Sequence, residues 1–257
     1  MTGLQMNNTM DLDRAKREKE WYNEKSGGHA RVSTSKFYSV FGLLMKEFIP
    51  VIIGNLNKDE TVLLEYGCGV GYYLVNFASK IKKGVGIDIS EVLIGWARQM
   101  CKKRNIENLE FSVMDAMNTS FENDSFDIIH GVAILHHLDI KKSLEEVNRI
   151  LKKGGKAFFI EPLDTNPVIK LYRKMTPKAR TIDEQPLRRK DIALVKSMFP
   201  ETEIKYYFFL SLLAVPFRKY SIFKRILSIF YFMDKILLSR YSPFKWLAWS
   251  CTMVLKK

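Results

Sequence analysis

Apolar positions along the chain fall into two kinds of pattern: short continuous runs that stop at glycines or acids, and longer stretches where they return every three or four residues. Val62, Leu63 and Leu64 form the first short run, which stops at Glu65 and is followed by Gly67, Gly69 and Gly71. A run of that length bounded by glycines reads as a strand buried on both faces. Further runs cover residues 84–89, ending at Asp88-Ile89, 109–116, ending at Asp115-Ala116, 125–138, and 154–162. Helical stretches separate them. Residues 72–81 have helical composition, Val92, Leu93, Trp96, Ala97 and Met100 share one apolar face, and Leu144, Val147, Ile150 and Leu151 share another. Short buried strands alternating with helices predict a parallel sheet covered on both sides, with right-handed crossovers. Ligands then bind beyond the carboxyl ends of the strands.

The flanks read differently. Residues 11–25 predict a helix that stops before Ser26-Gly27-Gly28, and residues 34–53 predict a second, with Phe37, Val40, Phe41, Leu44, Met45 and Phe48 at helical steps. Pro50 is expected to bend or end it. Beyond Leu163 come helices over 168–175 and 187–199 and strands over 204–209 and 246–255. Between these last two strands, residues 210–243 form a long insertion. Ser221, Lys224, Arg225, Ser228, Lys235 and Ser239 make one polar helical stripe in it, and nearly everything else is apolar. That surface is wider than one core face requires. Packing over the sheet edge, lining an acceptor pocket and resting on a membrane all fit it.

Charge sharpens this picture. The 257 residues carry a formal net charge of +13, of which residues 1–151 contribute −1 and residues 152–257 contribute +14. A basic part interleaved with aromatics suits nucleic acid, anionic lipid or an anionic substrate; a plain solvated surface suits it equally. Cys68, Cys101 and Cys251 are few, scattered and odd in number, which favours reduced thiols in a cytoplasmic setting over a disulfide framework. Cys68 fits the glycine loop as a small packed side chain. The first twenty residues are polar, so no secretory leader is expected, and no run reaches the roughly 18 apolar residues that cross a bilayer.

The glycine loop leads into a helix, so its amides are free to meet a ligand. Its spacing is G-x-G-x-G, which differs from the dinucleotide fingerprint G-x-G-x-x-G and disfavours a nicotinamide oxidoreductase. The loop and the four later strand ends, over about residues 63–162, resemble the class I S-adenosylmethionine (SAM)-dependent methyltransferases, and among them the small-molecule enzymes typified by quinone and lipid biosynthesis. That resemblance implies a seven-stranded Rossmann-like α/β sheet, mostly parallel, with an antiparallel C-terminal hairpin whose last strand lies between the fifth and sixth. It also implies an N-terminal helical cap over residues 1–56, a SAM-binding core over 57–163, and a C-terminal part over 164–257 that holds the insertion. Tyr22, His29 and Arg31 are candidates for the cap, with surface or packing roles open to each.

By its chemistry SAM assigns roles to the strand ends. Gly67, Cys68 and Gly69 leave room for the methionine arm and ribose against backbone, and Glu65 is suited to accept from the ammonium group. Asp88, with Ile89 after it, accepts from the ribose hydroxyls; the competing reading is a cap on the next helix. Asp115, with the amide of Ala116, faces the adenine edge as the resemblance implies. Gly131 marks a close backbone approach. His136 and His137 are the candidate catalytic bases on pKa grounds, with packing or substrate positioning as the alternative. Metal binding is not expected of them, because adjacent side chains diverge and no acid cluster completes a site. Glu161 either orients a polar acceptor or pairs with a nearby lysine or arginine. The expected function is methyl transfer in the cytoplasm to a small, apolar or amphipathic acceptor, lipid-linked acceptors included, with contact to an anionic membrane surface. An RNA methyltransferase and a non-catalytic SAM-binding scaffold are the competing readings; neither an RNA-binding module nor an N-P-P-Y-type tetrapeptide is present.

Overall fold

The computed structural model describes residues 3–25, 38–177, 180–239 and 241–257. Helices α1 (Gly3–Lys25) and α2 (Tyr38–Ile53) precede a seven-stranded sheet. Its strands are β1 (Val62–Tyr66), β2 (Lys83–Asp88), β3 (Leu109–Val113), β4 (Phe126–Val132), β5 (Leu151–Pro162), β6 (Glu203–Tyr207) and β7 (Ser250–Lys256). Helices α3 (Tyr72–Phe77), α4 (Glu91–Arg104), α5 (Ile140–Ile150), α6 (Pro167–Met175), α7 (Arg189–Met198) and α8 (Phe223–Leu237) connect them. The spatial order is β3-β2-β1-β4-β5-β7-β6. The first five strands run parallel, and β7 pairs antiparallel with both β5 and β6. The sheet therefore has the predicted mixed order.

Both sheet faces are buried, as the unbroken apolar runs require. On one face Leu63, Ile128 and Phe158 pack with Leu44, Phe48, Leu74 and Phe77; on the other Leu64, Ile129 and Phe159 pack with Leu144, Val147, Ile192 and Val195. Helix starts follow their sequence signals. The Ser90 hydroxyl accepts from the Leu93 amide at the head of α4, and Asp139 accepts from the Lys142 amide at the head of α5. Ser90, and not Asp88, is thus the cap of α4.

Several boundaries differ from expectation. Pro50 lies inside α2, which continues to Ile53; the apolar face formed by Leu44, Phe48 and Ile52 is fully buried, and that packing holds the helix past the missing amide donor. The third strand stops at Val113, so Asp115 stands in the turn beyond it. Residues 133–138 leave the fourth strand and form a 3-10 turn over Leu135–His137. The sixth strand stops at Tyr207, because Phe208 takes a left-handed backbone (φ 68) that a strand cannot hold. The seventh starts at Ser250, after a 3-10 turn over Pro243–Leu247. His29 and Arg31 lie outside the described residues, as does the start of the second predicted helix.

Candidate functional site at the carboxyl edge of the sheet

The glycine loop crosses the ends of β1 and β2. Gly67 has φ +72, and a Cβ there would sit 2.6 Å from the Ile134 side chain. Gly69 also has a positive φ, +52, but a Cβ there would meet nothing within 4 Å. The backbone at Gly69 therefore borders open space, a cradle that a side chain would fill. Next to it, Asp88 Oδ2 accepts from the Gly69 amide at 2.8 Å and Oδ1 accepts from the Ser90 amide at 2.9 Å. Each Asp88 oxygen keeps a further lone pair for a ligand hydroxyl. Burial pushes its pKa up, against the pull of those amides.

Glu65 is buried in β1, and its Oε2 accepts from the Leu74 amide at 2.9 Å, tying the strand to the first turn of α3. Burial raises its pKa to about 8, so near neutral pH it is mainly a neutral acid. An ammonium group placed against it would restore the carboxylate. Opposite Glu65 in register stands His130 of β4, whose ring lies edge-on to Tyr73 and Phe77. Burial lowers the His130 pKa to about 4, so the ring is neutral.

Asp115 lies close to Asp88. Strands β2 and β3 pair Asp88 with Val113, and the Met114 amide donates to the Asp88 carbonyl at 3.0 Å. Asp115 Oδ1 accepts from the Met117 amide at 2.9 Å, which shapes the turn. The Tyr66 hydroxyl donates to the Ala116 carbonyl from the buried side. Ile89 follows Asp88, half-buried at the same edge. Cys68 is buried, and burial pushes its thiol well up, which makes it inert packing in the loop. Gly131 is approached by the Ile134 and Phe159 side chains, 2.8 Å from where a Cβ would stand; it accommodates packing. The left-handed backbone lies two residues later, at Ala133, with φ 56 and its amide donated to the Ile160 carbonyl at 2.7 Å. Sequence reasoning passed over Ala133, since alanine gives no signal of a left-handed backbone.

The histidines correct an expectation. The His136 and His137 rings do not diverge: their centroids are 4.2 Å apart at 41°. The 3-10 turn carries both inward, and both are buried. Glu161 does not make the expected pair with a lysine or arginine among the described residues. Its Oε1 accepts from the Ile134 and Leu135 amides at 2.9 and 2.8 Å, and its Oε2 lies 2.7 Å from His136 Nδ1. Three residues outside the motif complete this cluster: Glu18 and Tyr22 from α1, and Glu184 from the loop before α7. Glu18 Oε2 stands 3.2 Å from His137 Nδ1, and the Tyr22 hydroxyl 3.2 Å from His137 Nε2. The Gln185 amide donates to the His136 carbonyl at 2.8 Å, which fixes Glu184 beside the pair. Burial, then the neighbouring His136, lower the pKa of His137. Spacings of 47 residues or more hid these partners.

Helix α1 joins the cluster to the glycine-loop side. Asn23, adjacent to Tyr22, accepts the Ser90 hydroxyl at 2.6 Å, and Lys19 pairs with Glu91 at 2.6 Å. Arg17 forks onto both Asp183 oxygens at 2.8 Å.

This sheet order, with an open glycine loop and two acids at its carboxyl edge, defines a Rossmann-like α/β domain. Residues 63–155 match the family model described as a methyltransferase domain. The chain is 25% identical over 151 residues to the uncharacterized methyltransferase YcgJ of Bacillus subtilis, covering 58% of this chain and 59% of that protein. It is 29% identical over 116 residues to the demethylmenaquinone methyltransferase of Lactococcus lactis, covering 44% and 45%. The chain thus spans about half the length of the curated relatives it matches. In fold it is similar to the crystal structure of YcgJ, with TM-score 0.55, 16% identity and coverage of 82% and 99%. It is also similar to geranyl diphosphate C-methyltransferase from Streptomyces coelicolor, crystallised with Mg2+, geranyl diphosphate and S-adenosyl-L-homocysteine, with TM-score 0.61, 14% identity and coverage of 84% and 80%. Residues 63–155 are therefore similar to a methyltransferase domain, and the fold is similar to that of solved methyltransferases.

Proposed function

We propose that the protein transfers the methyl group of SAM to a small acceptor with a substantial apolar part, met at an anionic membrane surface. The observation that carries methyl transfer is the open backbone at Gly69 beside the Asp88 carboxylate. In this reading Asp88 holds the ribose diol, Asp115 and Ala116 border the adenine, and Glu65 takes the charge of the methionine ammonium. The sulfonium is already an activated donor, so the protein mainly aligns the acceptor and excludes water. His136 and His137 then act as positioning groups beside the methyl: Glu161, Glu18 and Tyr22 hold their ring nitrogens.

The acceptor class rests on the insertion. Ile222, Ile229, Phe232 and Ile236 recur in phase along the exposed side of the α8 segment, with exposed Lys224 and Arg225 beside them. An apolar stripe flanked by cations suits the boundary between headgroups and acyl chains. No helix among the described residues is long and apolar enough to cross a membrane, so the contact would be peripheral.

The test is calorimetry with SAM and S-adenosylhomocysteine, followed by transfer of a radiolabelled methyl group from SAM into a total lipid extract, with total RNA as the comparison. Binding followed by label in the lipid fraction supports the proposal. Label in RNA alone would overturn the acceptor class, and absence of cofactor binding would leave a scaffold.

A further inference from the structure

Just past the end of β4 lies the buried cluster built on the paired histidines. His136, His137 and Glu184 each bring one potential ligand atom within 4.8 Å of the other two. Two segments far apart in sequence supply them, and the Gln185 amide on the His136 carbonyl, 2.8 Å, locks those segments together. The set is therefore a product of the tertiary fold.

Two independent features point to a ligand here. First, Glu161 takes Nδ1 of His136 at 2.7 Å. With Nδ1–H donated to that carboxylate, the Nε2 lone pair remains for a ligand, the arrangement in which an outer carboxylate orients a metal-binding imidazole. Second, Glu18 reaches in from α1 with 5% exposure, and neither of its oxygens accepts a hydrogen bond among the described residues. Among the described residues it lies in ion-pair range of His137 Nδ1 at 3.2 Å, an atom that also has no hydrogen-bond partner there. A buried carboxylate in that state is unfavourable unless a cation compensates it. Arg173 and Arg180 lie on Oε1 of Glu184, at 2.6 and 3.9 Å; a carboxylate can keep an arginine on one oxygen and bind a cation through the other.

We propose that His136, His137 and Glu184 form a binding site for a divalent transition-metal cation, with Glu161 orienting His136 and Glu18 adding negative charge alongside. Two imidazoles and a carboxylate are a donor set suited to Zn2+. Bonds of about 2.1 Å in a tetrahedral site set ligand atoms roughly 3.4 Å apart, so these atoms need to draw closer by about 1.4 Å at most. The site goes beyond methyl transfer and does not depend on it. It would fix α1, through Glu18 and Tyr22, to the end of β4.

The full-length chain, stripped with a chelator, is titrated with Zn2+, and separately with Co2+ for its visible ligand-field absorption. One ion per chain with a tetrahedral cobalt spectrum is expected. Glu184→Gln and His137→Gln should lose the spectrum, and Glu161→Gln should weaken binding about 10- to 100-fold. Cys101→Ser, away from the cluster, should bind as the parent does. Circular dichroism verifies folding of each variant; should His137→Gln fail to fold, Glu184→Gln decides. Absence of stoichiometric uptake by the parent chain would overturn the proposal, as would an unchanged cobalt spectrum in folded Glu184→Gln. Calorimetry with SAM on the same stripped chain reads the cofactor site separately.

Discussion

Tyr22 and His137 meet side chain to side chain, hydroxyl to Nε2 at 3.2 Å, while the next residue, Asn23, accepts the hydroxyl of Ser90. Two consecutive residues of one helix thus bridge the turn after β4 and the loop after β2. Helix α1 is polar over most of its length, so packing contributes little to its attachment, and these contacts decide whether it lies over the cofactor edge. Tyr22→Phe removes one hydrogen bond of about 1 kcal/mol. Amide exchange in α1 should speed up about fivefold with the melting temperature of the sheet nearly unchanged; unchanged exchange would show that the contact does not hold the helix.

Asp88 organises the loop through two amides and carries the proposed ribose contact. Asp88→Ala should weaken SAM binding by at least tenfold, since a hydrogen bond to a charged group contributes about 1.5–3 kcal/mol. Calorimetry measures it. A variant that binds as tightly as the parent would remove Asp88 from the cofactor site.

Glu65 and His130 give the cofactor-free protein a pH signature. The Glu65 pKa is raised from 4.5 to about 8, so its contribution to stability is full below about 4.5 and is lost as pH rises toward 8. The His130 pKa is lowered from 6.5 to about 4, so its contribution runs the other way, and stability falls as pH drops below 6.5. Between about 6.5 and 8 only Glu65 is titrating of the two, and stability should fall there by up to about 1.4 kcal/mol per pH unit. Urea unfolding across that range should show the decline, and Glu65→Gln should flatten it.

Asp234 fastens the insertion. From α8 it accepts the amides of Phe209, Leu210 and Ser211 at 2.7 to 3.0 Å and the Ser211 hydroxyl, and it is 2% exposed. Asp234→Ala leaves three amides and a hydroxyl without an acceptor and should cost about 3 kcal/mol or more. Chemical denaturation reads the loss; a change under 1 kcal/mol would mean that water replaces the carboxylate.

The exposed stripe of α8 should govern membrane contact. Co-sedimentation with vesicles rich in phosphatidylglycerol is expected at low salt and should weaken as salt is raised. Phe232→Asp with Ile236→Asp should abolish it and leave SAM binding intact. A parent chain that stays in the supernatant would end the membrane reading and leave methyl transfer untouched.

Apart from the antiparallel pair at the end, which only the family resemblance implied, the sequence alone determined the order of strands and helices, the glycine loop, and the acids at the end of β2 and just past β3. These follow from local signals: apolar runs of strand length, glycines where a side chain cannot go, and helical periodicity. Tertiary structure decided what distant side chains share. The capture of Glu161 by backbone amides, the arrival of Glu18 and Glu184 at the His136-His137 pair, and the anchoring of Phe209–Ser211 by Asp234 all join residues more than 20 positions apart. A carboxylate looks the same in sequence whether it faces water or a buried amide. Only packing fixes which, because desolvation favours the buried charge that finds a partner within the reach of the fold.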